Sequence, residues 1–386
     1  MGNSFTHFKR IMLISLLTFI AYSNSFNSAF HFDDFSSIIT YPYIKSVHNI
    51  PYFFYYKGAP LTGRPVTTTT FAVNYWIGGL RPSSYHHVNF FIHLANIILV
   101  YILLLFTLKD RVGGYMEISL VASLIFAVHP IQTQAVTYIV QRAEILSAFF
   151  CLISIVLFKA GFDKRLKWIY WGGAIFSAIF AMGSKEISVT LPVIILLYDF
   201  FFIADGDIKA LSKRWVIHVL FFLALVSLAY FMGAAQFRGF ITTNAVKPPP
   251  TSSVYVDTSS ISRYEYLLTQ FRVIWTYIRL LILPVNQNVD YNYPLSHGLL
   301  TPITTLFGGI GIIVFLTSAV LFFKRMRSVS FFIVWFFLML APTSSVAVLP
   351  DVIFEHRLYL ASAGFFVIFT IALSRASDII FGKGKE

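Results

Sequence analysis

Charged residues are scarce in this sequence. Of its 386 residues, only 12% are Asp, Glu, Lys or Arg, whereas 57% are hydrophobic. A soluble domain carries about 25% charged residues, so this composition excludes a soluble globular protein. Cysteine is also nearly absent: Cys151 is the only one, which excludes a disulfide framework. The composition is typical of a protein that crosses a membrane several times.

Acidic residues are fewer than basic ones, 17 against 29, and the formal net charge is +12. A basic chain can indicate a nucleic-acid-binding protein, but in membrane proteins the extra Lys and Arg stand in short inner loops. The cations here fall in short connections between apolar segments, so we expect no nucleic acid partner and place both termini inside. These connections include Lys9, Arg10, Lys109, Arg111, Lys159, Lys164, Arg165, Lys209, Lys213, Lys324, Arg325, Arg327, Arg375, Lys383 and Lys385.

Apolar segments of the length needed to cross a bilayer, about 20 residues, are abundant. They predict an all-α polytopic membrane protein with about 10–11 transmembrane helices, which residues 1–386 form as a single domain embedded in membrane lipids. The ten predicted spans are 11–30, 86–106, 116–130, 143–159, 168–184, 187–203, 215–233, 302–323, 329–348 and 357–375.

Residues 263–283 are long enough to be an eleventh span. They carry Glu265, Arg272 and Arg279 at intervals of seven residues, which places the three charges on one helical face. A charged stripe is costly in lipid. We therefore predict an amphipathic helix that lies at the outer interface or is partly embedded among the spans.

The two longest connections both fall on the outer side. Residues 31–85 form the first outer loop, which carries an acidic motif, and residues 234–301 form the second, which includes the interfacial helix. The second also contains the sequence KPPP at 247–250, a stretch typical of an extended loop. Non-helical backbone at membrane depth is tolerated where protein covers it, so we expect these loops to cover a site.

Ionisable residues recur at the outer ends of the predicted spans. Such charges are usually paired and functional at this level, although each has a structural alternative as an interfacial anchor or a helix terminator. Five places carry them: Asp33 and Asp34 in HFDDF, His129 in FAVHP, Arg142 and Glu144 in QRAE, Lys185 and Glu186 in GSKE, and Glu355 and Arg357 in FEHRLYL.

A carboxylate beside cations at membrane level fits a specific chemistry. The carboxylate can act as general base on an acceptor hydroxyl, and Arg and Lys can bind a lipid-linked phosphate that becomes the leaving group. We predict Asp33 and Asp34 as the catalytic pair and prefer Asp34 as the base. The predicted phosphate-binding residues are Arg142, Lys185, Arg357, Arg272 and Arg279; the predicted supporting residues are His129, Glu144, Glu186 and Glu355.

Four sequence blocks together resemble one known family. They are GAPLTGRPVTTTTFAVNYW, LIFAVHPIQTQAVTYIVQRAE, FAMGSKEISVTLP and EHRLYLASAGF. Their order is similar to that of the transmembrane O-mannosyltransferases that carry tetratricopeptide repeats. The resemblance implies the GT-C glycosyltransferase fold, a polyprenyl-phosphate sugar donor and a protein acceptor outside the cytoplasm. It also matches Arg64 and the later ionisable residues named above to the family pattern.

The repeats themselves are absent from this sequence, so the acceptor can be a protein or a glycan. Their absence favours a bacterial or archaeal cell membrane, with the site on the periplasmic side of the inner membrane. Two alternatives stay open: a glycan ligase or polymerase that uses a lipid-diphosphate donor, and a lipid-linked sugar transporter or flippase. The outer acidic residues do not form a multi-carboxylate cage. We therefore expect no metal site and no obligatory cofactor, while a role for a divalent cation stays open.

Overall fold

The computed structural model describes residues 2–55, 60–61, 63–162, 165–233, 261–345, 347–349 and 351–382. Helices are the only regular secondary structure within these ranges, apart from an isolated antiparallel bridge between Gly298 and Thr301. The all-α prediction is therefore confirmed. The KPPP stretch at 247–250 and the predicted inner cations Lys164, Lys383 and Lys385 lie outside the described residues.

Sixteen α-helices lie within the described ranges. In chain order they are α1 (Gly2–Tyr22), α2 (Ile50–Tyr55), α3 (Pro65–Gly78), α4 (Pro82–Leu108), α5 (Tyr115–Val128), α6 (Thr133–Thr137), α7 (Arg142–Phe162), α8 (Lys167–Met182), α9 (Leu191–Tyr198), α10 (Ile208–Ser212), α11 (Trp215–Leu223), α12 (Leu225–Met232), α13 (Arg263–Ile282), α14 (Thr304–Phe322), α15 (Arg327–Leu340) and α16 (Tyr359–Ile380).

Within the described ranges, seven helical segments are long and apolar enough to cross a membrane, or eight if a pair bent by 52° counts as one span. The chain is therefore a multi-pass membrane protein. The bent pair joins α5 to residues 130–137. The two remaining predicted spans, 168–184 and 329–348, coincide with shorter helices, α8 of 16 residues and α15 of 14 residues.

Helix α13 covers the segment that was the possible eleventh span. It begins with a capping box, in which Ser262 and Glu265 each bind the other's backbone amide. Its buried face includes Tyr266, Val273 and Tyr277, whereas Arg279 is exposed. The helix is thus amphipathic, as predicted, and it is not among the candidate spans of the described chain.

Short 3₁₀ turns interrupt the helices where the sequence carries its ionisable residues. These turns are Pro130–Gln132, Ile139–Gln141, Glu186–Thr190 and Glu355–Leu358. Each turn breaks the helical hydrogen-bond pattern, and the freed backbone groups become available to side chains. The turns lead directly into α6, α7, α9 and α16, so these helices fix the positions of the polar residues at their starts.

Candidate functional site

The acidic loop, residues 31–34, is folded back on itself and fixed to the start of α7. The Asp34 carboxylate accepts hydrogen bonds from the amide of His31 at 3.0 Å and from the amide of Val140 at 2.8 Å. Asp34 is only 1% exposed. This burial raises the pKa of Asp34 to about 6, although the hydrogen bonds from both amides favour the charged carboxylate. Phe32 adopts a φ of 45°, which is uncommon for a bulky residue. Asp34 therefore holds the loop in place.

Asp33, in contrast, is exposed. Its amide donates to the Tyr138 hydroxyl at 2.9 Å, which anchors its backbone without using its carboxylate. Burial raises the pKa of Tyr138, and the charge of Asp33 raises it further. The two neighbouring carboxylates thus differ: both oxygens of Asp34 accept hydrogen bonds from backbone amides, whereas Asp33 is exposed and its charge acts on Tyr138.

Arg64 forms a two-pronged ion pair with Glu186. Its Nε and Nη2 atoms donate to the two carboxylate oxygens at 3.0 and 2.7 Å. Burial alone would lower the pKa of Arg64, but Glu186, together with Glu144 and Asp33, holds it above its usual value. The Asp33 charge therefore acts on Arg64. The start of α3 is fixed to this region because the Val66 amide donates to Gly183 O at 2.9 Å.

Lys185 and Glu144 form a second, more deeply buried pair. Their Nζ and Oε2 atoms are 2.7 Å apart, and the side chains are 7% and 1% exposed. Lys185 also donates to Gln141 Oε1 at 3.1 Å. Burial lowers the pKa of Lys185 below its usual range, against the opposing effect of Glu144. Gln141 follows Val140 directly, so the lysine is tied to the turn that fixes Asp34.

The late block brings Arg357 to the same region. Its Nη1 and Nη2 atoms donate to Val352 O at 3.2 Å and Asp351 O at 2.8 Å. Arg357, Lys185 and Arg64 all interact electrostatically with the buried His356. Three of the predicted cations therefore act on one position, although they come from sequence blocks far apart in the chain.

A cavity of about 300 Å³ opens beside the acidic loop. Glu355, which lines it, accepts hydrogen bonds from Gln287 Nε2 at 2.7 Å, the Asn288 amide at 2.8 Å and the Tyr291 hydroxyl. Glu355 thereby fixes the wall at 287–289. The other lining residues are mostly polar or aromatic: Ser28, His31, Phe32, Thr133, Gln134, Thr137 and Tyr138. Hydroxyl groups and aromatic faces of this kind suit a sugar ring.

Arg142 does not join this group of cations. It is fully buried, and it donates to Asn89 Oδ1 and Asn74 Oδ1, both at 2.7 Å. Its guanidinium also lies 4.5 Å from the centre of the Phe71 ring. These contacts explain its burial through hydrogen bonding and stacking with its neighbours, and they direct its donors away from the cavity.

The remaining predicted residues have local partners. Arg272 donates to Pro294 O and Arg279 to Val285 O, each at 2.9 Å. His129 accepts from the Ile131 amide at 3.2 Å, so it caps the turn that follows α5. The structure therefore brings together Asp33, Asp34, Arg64, Lys185 and Arg357 with their carboxylate partners. It does not bring Arg272 or Arg279 into contact with them.

Sequence reasoning missed three residues of this region: Tyr138, Asp290 and Asp351. Burial, offset by Arg357, raises the pKa of Asp351, and the charges of Asp290 and Asp33 raise it further. The charges of Asp290 and Asp33 thus act on Asp351, but no group of three potential metal ligands occurs among the residues described. Asp351 stands four residues before Glu355. Its closeness in sequence to the late block was the signal that could have identified it.

Comparisons with known proteins agree with the sequence blocks. Protein O-mannosyl-transferase TMTC3 of Mus musculus is 32% identical over 212 residues, which are 52% of this chain and 22% of that protein. TMTC2 of Homo sapiens is 30% identical over 263 residues, 63% of this chain and 30% of that protein. F38B6.6 of Caenorhabditis elegans, also named a protein O-mannosyl-transferase, is 24% identical over 385 residues, 96% of this chain and 52% of that protein.

The chain spans about a fifth to a half of the length of these curated relatives. No family model and no solved structure matches it. The aligned region of the Caenorhabditis elegans protein nevertheless covers nearly the whole chain, and the vertebrate proteins match about half of it or more. The resemblance is therefore confirmed: this multi-pass membrane protein is a relative of the protein O-mannosyl-transferases of the TMTC group.

Proposed function

We propose that the protein is a membrane glycosyltransferase. It transfers a sugar, which we take to be mannose, from a polyprenyl-phosphate donor to an acceptor hydroxyl outside the cytoplasm. The observation that carries this proposal is the exposed Asp33 carboxylate, whose neighbour Phe32 lines a polar and aromatic cavity and whose charge acts on Arg64. The relatives named as O-mannosyl-transferases support the class of reaction.

Asp33 is our candidate for the general base. It would take the proton from the acceptor hydroxyl while the hydroxyl oxygen attacks the anomeric carbon. The bond between that carbon and the phosphate oxygen breaks at the opposite side of the sugar, so the configuration inverts. The exposed position of Asp33 supports this role, whereas both oxygens of Asp34 already accept hydrogen bonds from backbone amides.

The leaving group is the polyprenyl phosphate, which gains negative charge as the bond breaks. Cations fixed near it stabilise that charge without reorganising. Arg64, Lys185 and Arg357 are our candidates because their charges all act on His356. Arg64 is the most accessible of the three, with its side chain 25% exposed. We therefore assign the direct phosphate contact to Arg64 and a supporting charge to the two others.

The carboxylates Glu186 and Glu144 keep these cations in position when no donor is bound. A buried cation without a partner is strongly unfavourable, and each glutamate removes that cost for one of them. The cavity beside Asp33 would hold the sugar or the acceptor, with Phe32 and Tyr138 stacking on its apolar face and Thr133 and Asn288 near its hydroxyl groups.

The test uses the full chain, purified and reconstituted in vesicles. Polyprenyl-phosphate mannose and a mixture of Ser- and Thr-containing peptides are supplied, and released polyprenyl phosphate and mannosylated peptide are measured. We expect both products in equal amounts and inversion at the anomeric carbon by NMR. Parallel reactions with a sugar nucleotide or a lipid-diphosphate sugar are expected to give none. Turnover with either of those donors but not with the monophosphate would overturn the proposal.

A chelator separates the proposal from the ligase alternative. We expect EDTA to leave the rate unchanged, because the cations supplied by the chain can stabilise the leaving phosphate. Complete loss of transfer with EDTA, restored by added divalent cation, would favour a lipid-diphosphate ligase. Movement of the intact lipid-linked sugar across the vesicle membrane without transfer would instead identify a flippase.

A further inference from the structure

A second polar cavity lies at the other end of the helical bundle. It is about 310 Å³ in volume, and its charged residues come from four separate parts of the chain. We call it the basic pocket, and its charged residues are Asp110, Arg111, Asp205, Lys324, Arg325, Arg327 and Arg375. Helix α4 starts near Arg142 and ends just before this pocket. Its 27 residues span about 40 Å at 1.5 Å per residue, so the pocket is remote from the acidic loop.

The positive charges of the basic pocket outnumber the negative ones. Five cationic and two anionic side chains line it, which leaves a net formal charge of +3. Asp205 forms ion pairs with both Arg111 and Arg327. Within the described part of the chain, no carboxylate forms an ion pair with Lys324, Arg325 or Arg375. The pocket therefore concentrates cations that lack an internal counter-charge.

The general excess of cations in inner loops does not account for this arrangement. Arg165 and Lys213 also belong to inner connections, yet they do not line the pocket. Gathering cations from three separate parts of the chain into one concave site raises the local potential and attracts an anion. The site has the form of an anion-binding pocket rather than a set of separate hydrated side chains.

The first turn of α15 adds to the same potential. Residues 327–329 line the pocket, and the helix has neither a side-chain cap nor an acidic residue in its first turn. The amides of a first helical turn have no partner within the helix, and they carry partial positive charge. They supplement the side-chain cations, which remain the main contribution.

Large apolar side chains flank the pocket. Leu321 is 71% exposed, Phe322 40% and Leu373 50%, and they stand within three residues of Lys324 or Arg375 in the sequence. A ligand with acyl chains could cover these side chains while its anionic group enters the pocket. Basic pockets at the membrane surface between helices commonly bind lipid phosphates in this way.

We propose that the basic pocket binds a phosphate group, carried by the headgroup of an anionic phospholipid or present as free phosphate. Lys324, Arg325 and Arg375 supply the charges that form no ion pair with a carboxylate among the described residues; Arg375 donates to Met326 Sδ at 3.2 Å. Arg111 and Arg327 are held in place by Asp205. This proposal does not depend on the glycosyltransferase reaction, because the pocket is remote from the acidic loop and its test measures binding.

The test measures thermal unfolding of the detergent-purified full chain with increasing phosphatidylglycerol, phosphatidylcholine of the same acyl chains, or inorganic phosphate. The pocket variant is Lys324→Gln/Arg325→Gln. The matched control is Lys213→Gln/Arg165→Gln, which removes the same two charges from inner connections outside the pocket. Native mass spectrometry counts the retained lipid, so binding is measured even if the unliganded variant is less stable.

Phosphatidylglycerol is expected to raise the Tm of the wild type and of the control. The pocket variant should need about tenfold more lipid for each cation removed, since tenfold corresponds to about 1.4 kcal/mol. Equal lipid binding by both variants would overturn the proposal, as would equal stabilisation by phosphatidylcholine. Stabilisation by inorganic phosphate alone, abolished in the pocket variant, would support the phosphate site and identify free phosphate as the ligand.

Discussion

The cationic side chains at the two ends of the helical bundle differ in whether they form ion pairs. Beside the acidic loop, Arg64 forms an ion pair with Glu186, and Lys185 forms one with Glu144. The side chains of Lys185 and Glu144 are nearly inaccessible to solvent. In the basic pocket, Lys324 and Arg325 are exposed and form no ion pair with a carboxylate of the described chain.

Burial explains this difference. A buried cation needs a partner, since its dehydration is otherwise uncompensated, whereas a surface cation is hydrated and can bind an external anion. The paired cations at the acidic loop are therefore held at fixed positions before any ligand arrives. Such fixed charges suit a reaction, because they need not reorganise as charge develops. The unpaired cations of the basic pocket suit the capture of a ligand that brings its own negative charge.

The largest expected effect concerns the acidic loop itself. Asp33→Asn keeps the shape of the side chain and removes the proton acceptor, so we expect transfer to slow by about 10²–10⁴-fold, the usual contribution of general acid–base catalysis. Binding of polyprenyl-phosphate mannose should stay close to that of the wild type. Single-turnover rates and equilibrium donor binding are measured separately. A normal rate for this variant would show that Asp33 is not the base.

The next effect tests the paired charges. Glu144→Gln leaves Lys185 buried without its carboxylate, and removal of one partner of a buried pair costs about 3–5 kcal/mol of unfolding free energy. The matched control is Glu117→Gln, which breaks the more exposed Arg10–Glu117 pair and should cost about 0.2–1 kcal/mol. Both are measured by unfolding in mixed detergent micelles at pH 7.

The cost of Glu144→Gln should also depend on pH. Burial already lowers the pKa of Lys185, and Glu144 opposes that effect, so the variant lowers this pKa further. A depressed lysine pKa means that the folded state binds fewer protons than the unfolded state, and stability rises with pH. The difference in unfolding free energy between the variant and the wild type should therefore shrink as pH rises towards about 10. A constant difference would mean that the charge of Lys185 is not the cause.

The sequence predicted the class of fold and much of this site because both depend on local patterns. Apolar length predicted the spans, and the seven-residue interval of charges predicted the amphipathic α13. The ionisable residues of five places were grouped because each stands at the end of a predicted span. That argument places residues at one membrane level, but it contains no information on their lateral positions or on the direction of each side chain.

Arg142 shows the physical reason for this limit. Like Lys185, it is a cation at the end of a predicted span, but its partners Asn74 and Asn89 come from α3 and α4 and turn its guanidinium away from the cavity. No local pattern around residue 142 marks these long-range amide partners. Asp351 and Tyr138 were missed because their contribution to the site arises only when separate segments of the chain pack together.

Asp34 provides the smallest expected effect and the sharpest contrast with its neighbour. In Asp34→Asn an amide nitrogen replaces one carboxylate oxygen, so either His31 or Val140 loses its acceptor. An unsatisfied buried amide costs about 1–3 kcal/mol. Because the pKa of Asp34 is raised to about 6, the folded state binds an extra proton between the unfolded value of about 3.9 and this pKa. The stabilisation is therefore full below the unfolded value and is lost as pH rises through 6.

The substitution should consequently cost more stability at pH 4.5 than at pH 7.5, because the asparagine does not titrate. Unfolding of both Asn variants is compared at the two pH values, together with their transfer rates at pH 7.5. Asp33→Asn should leave the stability nearly unchanged at either pH, since its carboxylate is exposed. Asp34→Asn should reduce the rate less than Asp33→Asn does, because it loosens the loop but retains the base. The opposite result, a stable but inactive Asp34→Asn beside an active Asp33→Asn, would exchange the roles of the two carboxylates.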